Sequence, residues 1–195
     1  MIANIKEAMT NIEAVSCVKF KLAPNDLRKH VLITFKPKQG CSSEIGYHDR
    51  QQFINLDTNA CNVVGDIMHQ LMHTLGFMHQ QSLPNRDDYV RIARENIKAD
   101  KLKHFDKYEH PLYTNFNEDY DYSSLMHLPE DFQSANGNLT IEALYPEDAG
   151  LMGQNQGLSP TDVRKLNVLY ECKEKTKDWP NLFLLYAKGV MTDEK

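Results

Sequence analysis

A length of 195 residues, 41% of them hydrophobic and 25% charged, suits one domain with a sizeable core, cleft at most into two lobes. The formal net charge of −5 argues against a nucleic-acid partner. The most apolar part of the tail, Leu182 to Ala187, falls far short of a membrane span of about 20 residues, so no membrane partner is expected.

The chain opens directly into an amphipathic segment, so as given it carries no secretory signal. Ile2, Ile5, Met9, Ile12 and Val15 recur at helical spacing and predict a first helix. Val31 to Phe35 is short, apolar and β-branched, hence a strand; Ser43 to Tyr47 and Gln51 to Leu56 are weaker strand candidates. Val63, Val64, Ile67, Met68, Leu71, Met72 and Leu75 line one broad face of a second helix, leaving His69 and His73 on its border. Beyond His79 the pattern turns irregular: Ser82 to Asp88 reads as turns, and Tyr108 to Tyr122 as a solvated loop packing its rings inward. Ser159-Pro160-Thr161-Asp162 carries an N-cap, a first-turn proline and the acid of a capping box, opening a last helix that runs to Cys172.

The chemistry concentrates in His69-Gln70-Leu71-Met72-His73-Thr74-Leu75-Gly76-Phe77-Met78-His79-Gln80. On a helix, His69 and His73 stand one turn apart on one face and can reach a single metal. With 8 His in the chain a bare H-x-x-x-H arises by chance roughly one time in three, so the pair alone decides little. Gly76 and His79 make it specific: a glycine can end the helix in a left-handed conformation and deliver His79 as a third ligand. Three histidines leave the fourth tetrahedral position of a zinc ion open, the pattern of catalytic sites. His30, His48, His104 and His110 fit no ligand spacing and read as surface histidines. The four cysteines (Cys17, Cys41, Cys61 and Cys172) match no C-x-x-C motif. Their even number fits two disulfides and an oxidising compartment, with three pairings open; four buried free thiols in a cytosolic protein stand as the alternative. Asn138-Leu139-Thr140 is a glycosylation sequon.

These residues resemble the astacin family of secreted zinc endopeptidases in the metzincin clan. Gln81-Ser82 and Arg86-Asp87-Asp88-Tyr89-Val90 resemble the family's continuation of the zinc motif. Tyr122-Ser123-Ser124-Leu125-Met126-His127 is similar to its Met-turn, which would place Met126 beneath the ligands. Met152-Gly153-Gln154, Leu158-Ser159, Asp162, Asn167 and Leu169-Tyr170 with Cys172 look like its closing helix. The resemblance implies an α/β (α+β) zincin-like fold over residues 1–172. An upper lobe (1–78) would hold a small twisted sheet and the zinc-motif helix, and an irregular lower lobe (79–172) would lie across a cleft. Residues 173–195 form a tail with no counterpart. It further implies Cys17–Cys172 and Cys41–Cys61 bridges, one Zn²⁺ on His69, His73 and His79, a secreted location, and a monomer that takes a peptide or protein ligand in the cleft.

The departures are equally specific. The family has Glu at Gln70 and at Gln80, Arg and Asp at Leu83 and Asn85, and a Tyr at Leu128 that steadies the transition state. The family's first strand and mature amino terminus would lie upstream of Met1. Gln70 occupies the position of the general base and cannot shuttle a proton, a loss typically worth 10²- to 10⁴-fold. Leu128 removes an oxyanion donor, a contact worth roughly 3–4 kcal/mol where measured. The expectation is therefore a zinc-binding astacin-like domain with proteolysis lost or strongly impaired. An active zinc metalloendopeptidase of reduced efficiency, and a metal-free interaction protein, stand as alternatives.

Overall fold

In the computed structural model, which describes residues 1–24, 28–108, 115–172 and 182–187, the first helix is α1 (Ile2–Val15). Of its predicted stripe Ile5, Met9 and Ile12 are buried, with Ala8 beside them, while Ile2 and Val15 at the helix ends are exposed; the helix packs on α2 (Val64–Thr74). On α2 the apolar face of Ile67, Met68, Leu71 and Met72 is buried in turn. Gly65, at the start of α2, lies so close to the main chain of Asn155 that a Cβ there would overlap its carbonyl.

The strands are β1 (Lys19–Leu22), β2 (Val31–Thr34), β3 (Ser42–Ser43), β4 (Gln52–Asn55) and β7 (Leu182–Ala187), in the order β1-β7-β2-β4-β3. Only β3 runs antiparallel to its neighbour. In β2, Val31 and Ile33 are buried while Leu32 and Thr34 are half-buried, the period of two that marks a strand. The candidate strand from Ser43 to Tyr47 shortens to β3 because the chain turns at Gly46, whose N–H is drawn off to the carbonyl of His73 at 2.9 Å. The tail contributes β7, paired with β1 from Lys19↔Leu182 to Leu22↔Leu185 and with β2 from Val31↔Leu185.

Two compact units are formed. The first comprises Met1–Phe77, Asn155–Gly157 and the described residues from Leu166 onward; the second comprises Met78–Gln154 and Leu158–Lys165. The second unit holds one two-stranded antiparallel sheet, β5 (Val90–Ile92) with β6 (Ile141–Ala143). The rest is short 3₁₀ turns and irregular chain around a core that includes Val90, Ile97, Phe105, Ile141 and Met152. Of the loop from Tyr108 to Tyr122, residues 109–114 lie outside the described residues. Tyr120 and Tyr122 do pack inward, Tyr120 stacking on Tyr89 at 4.7 Å.

The last helix, α3 (Pro160–Leu169), carries the reciprocal capping box its sequence predicts. The Asp162 N–H donates to Ser159 Oγ and the Ser159 N–H to Asp162 Oδ2, both at 3.0 Å. Disulfides join Cys17 to Cys172, with Cα atoms 5.5 Å apart, and Cys41 to Cys61, with Cα atoms 6.1 Å apart. One reading needs correcting. His30 is not a surface residue: it is buried, its ring 2.8 Å from the Gln51 amide. His104 is exposed, His48 half-buried, and His110 lies outside the described residues.

Candidate metal centre

His69 and His73 sit one turn apart on α2, their rings edge to face at a centroid distance of 4.6 Å. The helix ends as its glycine predicts. Gly76 has φ +102°, its N–H donates to the His73 carbonyl at 2.9 Å, and the Phe77 N–H donates to the Met72 carbonyl at 3.0 Å. Those two bonds satisfy the last carbonyls of the helix and reverse the chain. The Tyr170 hydroxyl donates to the Leu75 carbonyl at 3.0 Å, tying the same helix end to the segment after α3.

The reversal brings His79 round. One ring nitrogen from each of His69, His73 and His79 lies within 4.8 Å of the others. Three imidazoles so grouped suit a tetrahedral divalent ion with a fourth position free. His73 has the tautomer for this role. Its Nδ1 lies 2.8 Å from the Phe77 carbonyl, which can only accept, so Nδ1 carries the proton and Nε2 presents its lone pair. Burial, with His69 beside it, pushes the His73 pKa down to about 3, leaving the ring neutral at physiological pH.

Gln70, between the two helix histidines, is 7% exposed, and its Oε1 is buried with no hydrogen-bonding partner among the described residues. An unpaired buried acceptor is costly, and it fits a site that is completed by water or ligand. The side chain is an amide, so it can orient a donor but cannot carry a proton.

His79 is the N-cap of a three-residue 3₁₀ turn, Gln80–Ser82, whose side chains are all buried. The Gln80 N–H donates to the Met126 carbonyl at 2.9 Å, and the Leu128 N–H donates to Gln81 Oε1 at 3.2 Å. Met126 is itself buried, so the segment resembling a Met-turn holds the start of the turn through its main chain. Leu128 and Leu83 both belong to the apolar core of the second unit, and Asn85 is exposed. Asn138 is exposed, whereas Thr140 is buried with its hydroxyl 2.8 Å from the Phe132 carbonyl. Sequence reasoning missed Lys165: it is 4% exposed and donates to Gln80 Oε1 at 3.1 Å. Its signal was its register, three residues after Asp162 and one before Leu166, on the inward face of α3.

The profile of the astacin peptidase family matches residues 1–171. The chain belongs to the astacin family. It is an astacin-like zinc metallopeptidase domain with a mixed α+β fold. Embryonic protein UVS.2 of Xenopus laevis is 38% identical over 190 residues, spanning 97% of this chain and 35% of that protein. High choriolytic enzyme 1 of Oryzias latipes is 36% identical over 173 residues, spanning 88% of this chain and 62% of that protein. This astacin domain thus spans from about a third to under two thirds of the length of those relatives. The solved structure of the Oryzias enzyme, a hatching enzyme zinc-protease, superposes with a TM-score of 0.81, covering 88% of this chain and 83% of that one. Myroilysin, at 16% identity and a TM-score of 0.63, shares the fold.

Proposed function

We propose that this astacin domain binds one Zn²⁺ on His69, His73 and His79 and has lost most or all of its peptidase activity, keeping a cleft that takes a peptide or protein ligand. The observation that carries the reading is the amide of Gln70, buried between the two helix histidines with its oxygen unpartnered. A zinc ion held there supplies Lewis acidity, polarising a carbonyl and acidifying water. Gln70 would accept a hydrogen bond from a water molecule and orient it. Returning a proton to a leaving amine is beyond an amide. Leu128 offers the developing oxyanion no donor.

The ligand set supports keeping the metal. Neutral imidazoles need nothing from Gln70, and the Nδ1–H of His73 is already committed to Phe77. That independence also sustains a second reading, an active zinc endopeptidase of reduced efficiency. Metal analysis of the purified protein together with turnover of a broad peptide pool separates the two. Stoichiometric zinc with no chelator-sensitive cleavage supports the first, ordinary turnover the second, and absence of zinc after loading removes both.

Two disulfides support an extracellular setting. Asn138, exposed in its sequon, is the proposed glycan acceptor, and the domain is proposed to act as a monomer.

A further inference from the structure

The third histidine has no helix of its own. His69 and His73 are set by the regular backbone of α2, whereas His79 lies outside that helix and leads directly into the 3₁₀ turn Gln80–Ser82. That turn is tethered to the Met126 carbonyl, to the Leu128 amide, and to Arg86, whose Nη1 donates to the Gln81 carbonyl at 2.9 Å. The Tyr108 N–H donates to the Ser82 carbonyl at 2.9 Å, and a further tether comes from α3, where Lys165 Nζ donates to Gln80 Oε1 at 3.1 Å.

We infer that Lys165 is a positioning residue of the metal centre, its buried ammonium fixing Gln80 and, through Gln80, the third ligand His79. The inference rests on the metal-binding reading above. At 4% exposure Lys165 gives up most of its hydration, and an ion so buried is costly unless something compensates it. Asp162, Asp121 and Glu118 supply opposing charge, yet burial prevails and holds the lysine below its usual range. Asp162 is itself committed to Ser124, Leu125 and Ser159. Among the described residues, the hydrogen-bond acceptor of Lys165 is Gln80 Oε1.

Lysine offers only donors, so its presence fixes which way the Gln80 amide faces. The oxygen turns to Lys165 and Nε2 turns away, buried and without a partner among the described residues. A methionine would fill the same space without the desolvation cost, so packing does not account for a buried lysine here. Setting the orientation of the residue that follows a ligand does.

Cobalt(II), substituted into the full chain, tests this, because its visible absorption falls when a tetrahedral site loses a protein ligand and takes up water. Lys165→Met is expected to weaken metal affinity about 10- to 100-fold, the usual effect of losing an outer partner, and to lower that absorption, with thermal stability preserved. His79→Ala should give a similar spectrum, and adding Lys165→Met to it should change little more, since the two act in series. Lys165→Arg, which keeps the donor, should restore much of the wild-type spectrum. A Lys165→Met protein with wild-type affinity and spectrum would overturn the inference, as would an equal loss in the presence and absence of His79. Should Lys165→Met fail to fold, Lys165→Leu, which likewise lacks a donor, carries the same comparison. A wild-type chain that takes up no stoichiometric cobalt fails the metal reading itself, a separate outcome.

Discussion

The carboxylate of Asp162 accepts the amide hydrogen of Leu125 at 2.8 Å, so the side chain that closes the first turn of α3 also holds the residue before Met126. Ser124 Oγ donates to the same carboxylate at 2.6 Å. Asp162→Ala strands the Leu125 N–H, the Ser159 N–H and the Ser124 hydroxyl in a buried setting, at a cost on the order of 3–5 kcal/mol. Asp162→Asn, which keeps one acceptor oxygen, should lose less. Urea unfolding measures both, and a loss under about 1 kcal/mol for the alanine variant would contradict this account.

Catalysis should respond to restoring the missing groups. The wild-type domain is expected to cleave peptides at least 10²- to 10⁴-fold more slowly than an intact family member. Gln70→Glu should raise turnover if metal and cleft are intact, and adding Leu128→Tyr should raise it further. The second change carries a structural penalty: Leu128 is buried in the core of the second unit, and a larger ring there costs typically 1–3 kcal/mol. Rates should therefore be compared at a temperature where the double variant is fully folded.

Acid should destabilise the metal-free domain through His127. Its Nδ1 lies 2.8 Å from the Leu128 carbonyl, so Nδ1 donates and Nε2, at 2.8 Å, accepts from the Tyr120 hydroxyl. Burial pushes its pKa down to about 4, against about 6.5 when unfolded. The unfolded chain binds the proton first, so stability present above about pH 6.5 is lost as pH falls toward about 4. Denaturant midpoints across that window should fall more steeply for wild type than for His127→Gln.

The two disulfides should differ in weight. On the chain-entropy estimate a bridge spanning 20 residues is worth about 3 kcal/mol and one spanning 155 about 5 kcal/mol. Cys17→Ala with Cys172→Ala should therefore lower the thermal midpoint more than Cys41→Ala with Cys61→Ala. The opposite ranking would place the controlling constraint in the shorter loop.

Expression through a secretory route should add a glycan at Asn138, seen as a mass increment removed by an amidase and abolished by Asn138→Gln. Thr140 is buried with its hydroxyl bonded to the Phe132 carbonyl, so the sequon can be read only before this region folds. Folded, unglycosylated protein should not be a substrate.

What the sequence made legible is local. The spacing of His69, His73, Gly76 and His79, and the pattern of Ser159 through Asp162, each carry their own geometry within a few residues. The resemblance to a family supplied the disulfide pairing, which four cysteines alone leave open. β1, β5 and β6 went unread because their three or four residues include charged side chains (Lys19, Lys21, Arg91 and Glu142) in place of the apolar β-branched run that marks β2. β7 is apolar throughout and has no period, and its partners lie more than 150 residues earlier in the chain. Lys165 escaped because lysine on a helix is ordinarily solvated; only the face it shares with Asp162 and Leu166 hints otherwise.

The place of β7 between β1 and β2 bears on how the chain is made. β1 and β2 leave the ribosome well before the strand through which they meet, Leu182–Ala187. At 5–20 residues per second, roughly seven to thirty seconds separate the synthesis of β2 from that of β7. Until then two strand edges in the first unit stand open, each a template for pairing with another chain. The second unit draws on Met78–Gln154 and Leu158–Lys165 and has all its residues before β7 appears. Nascent chains should thus pass through a stage in which the later-starting unit is complete and the earlier-starting one still needs a chaperone's cover.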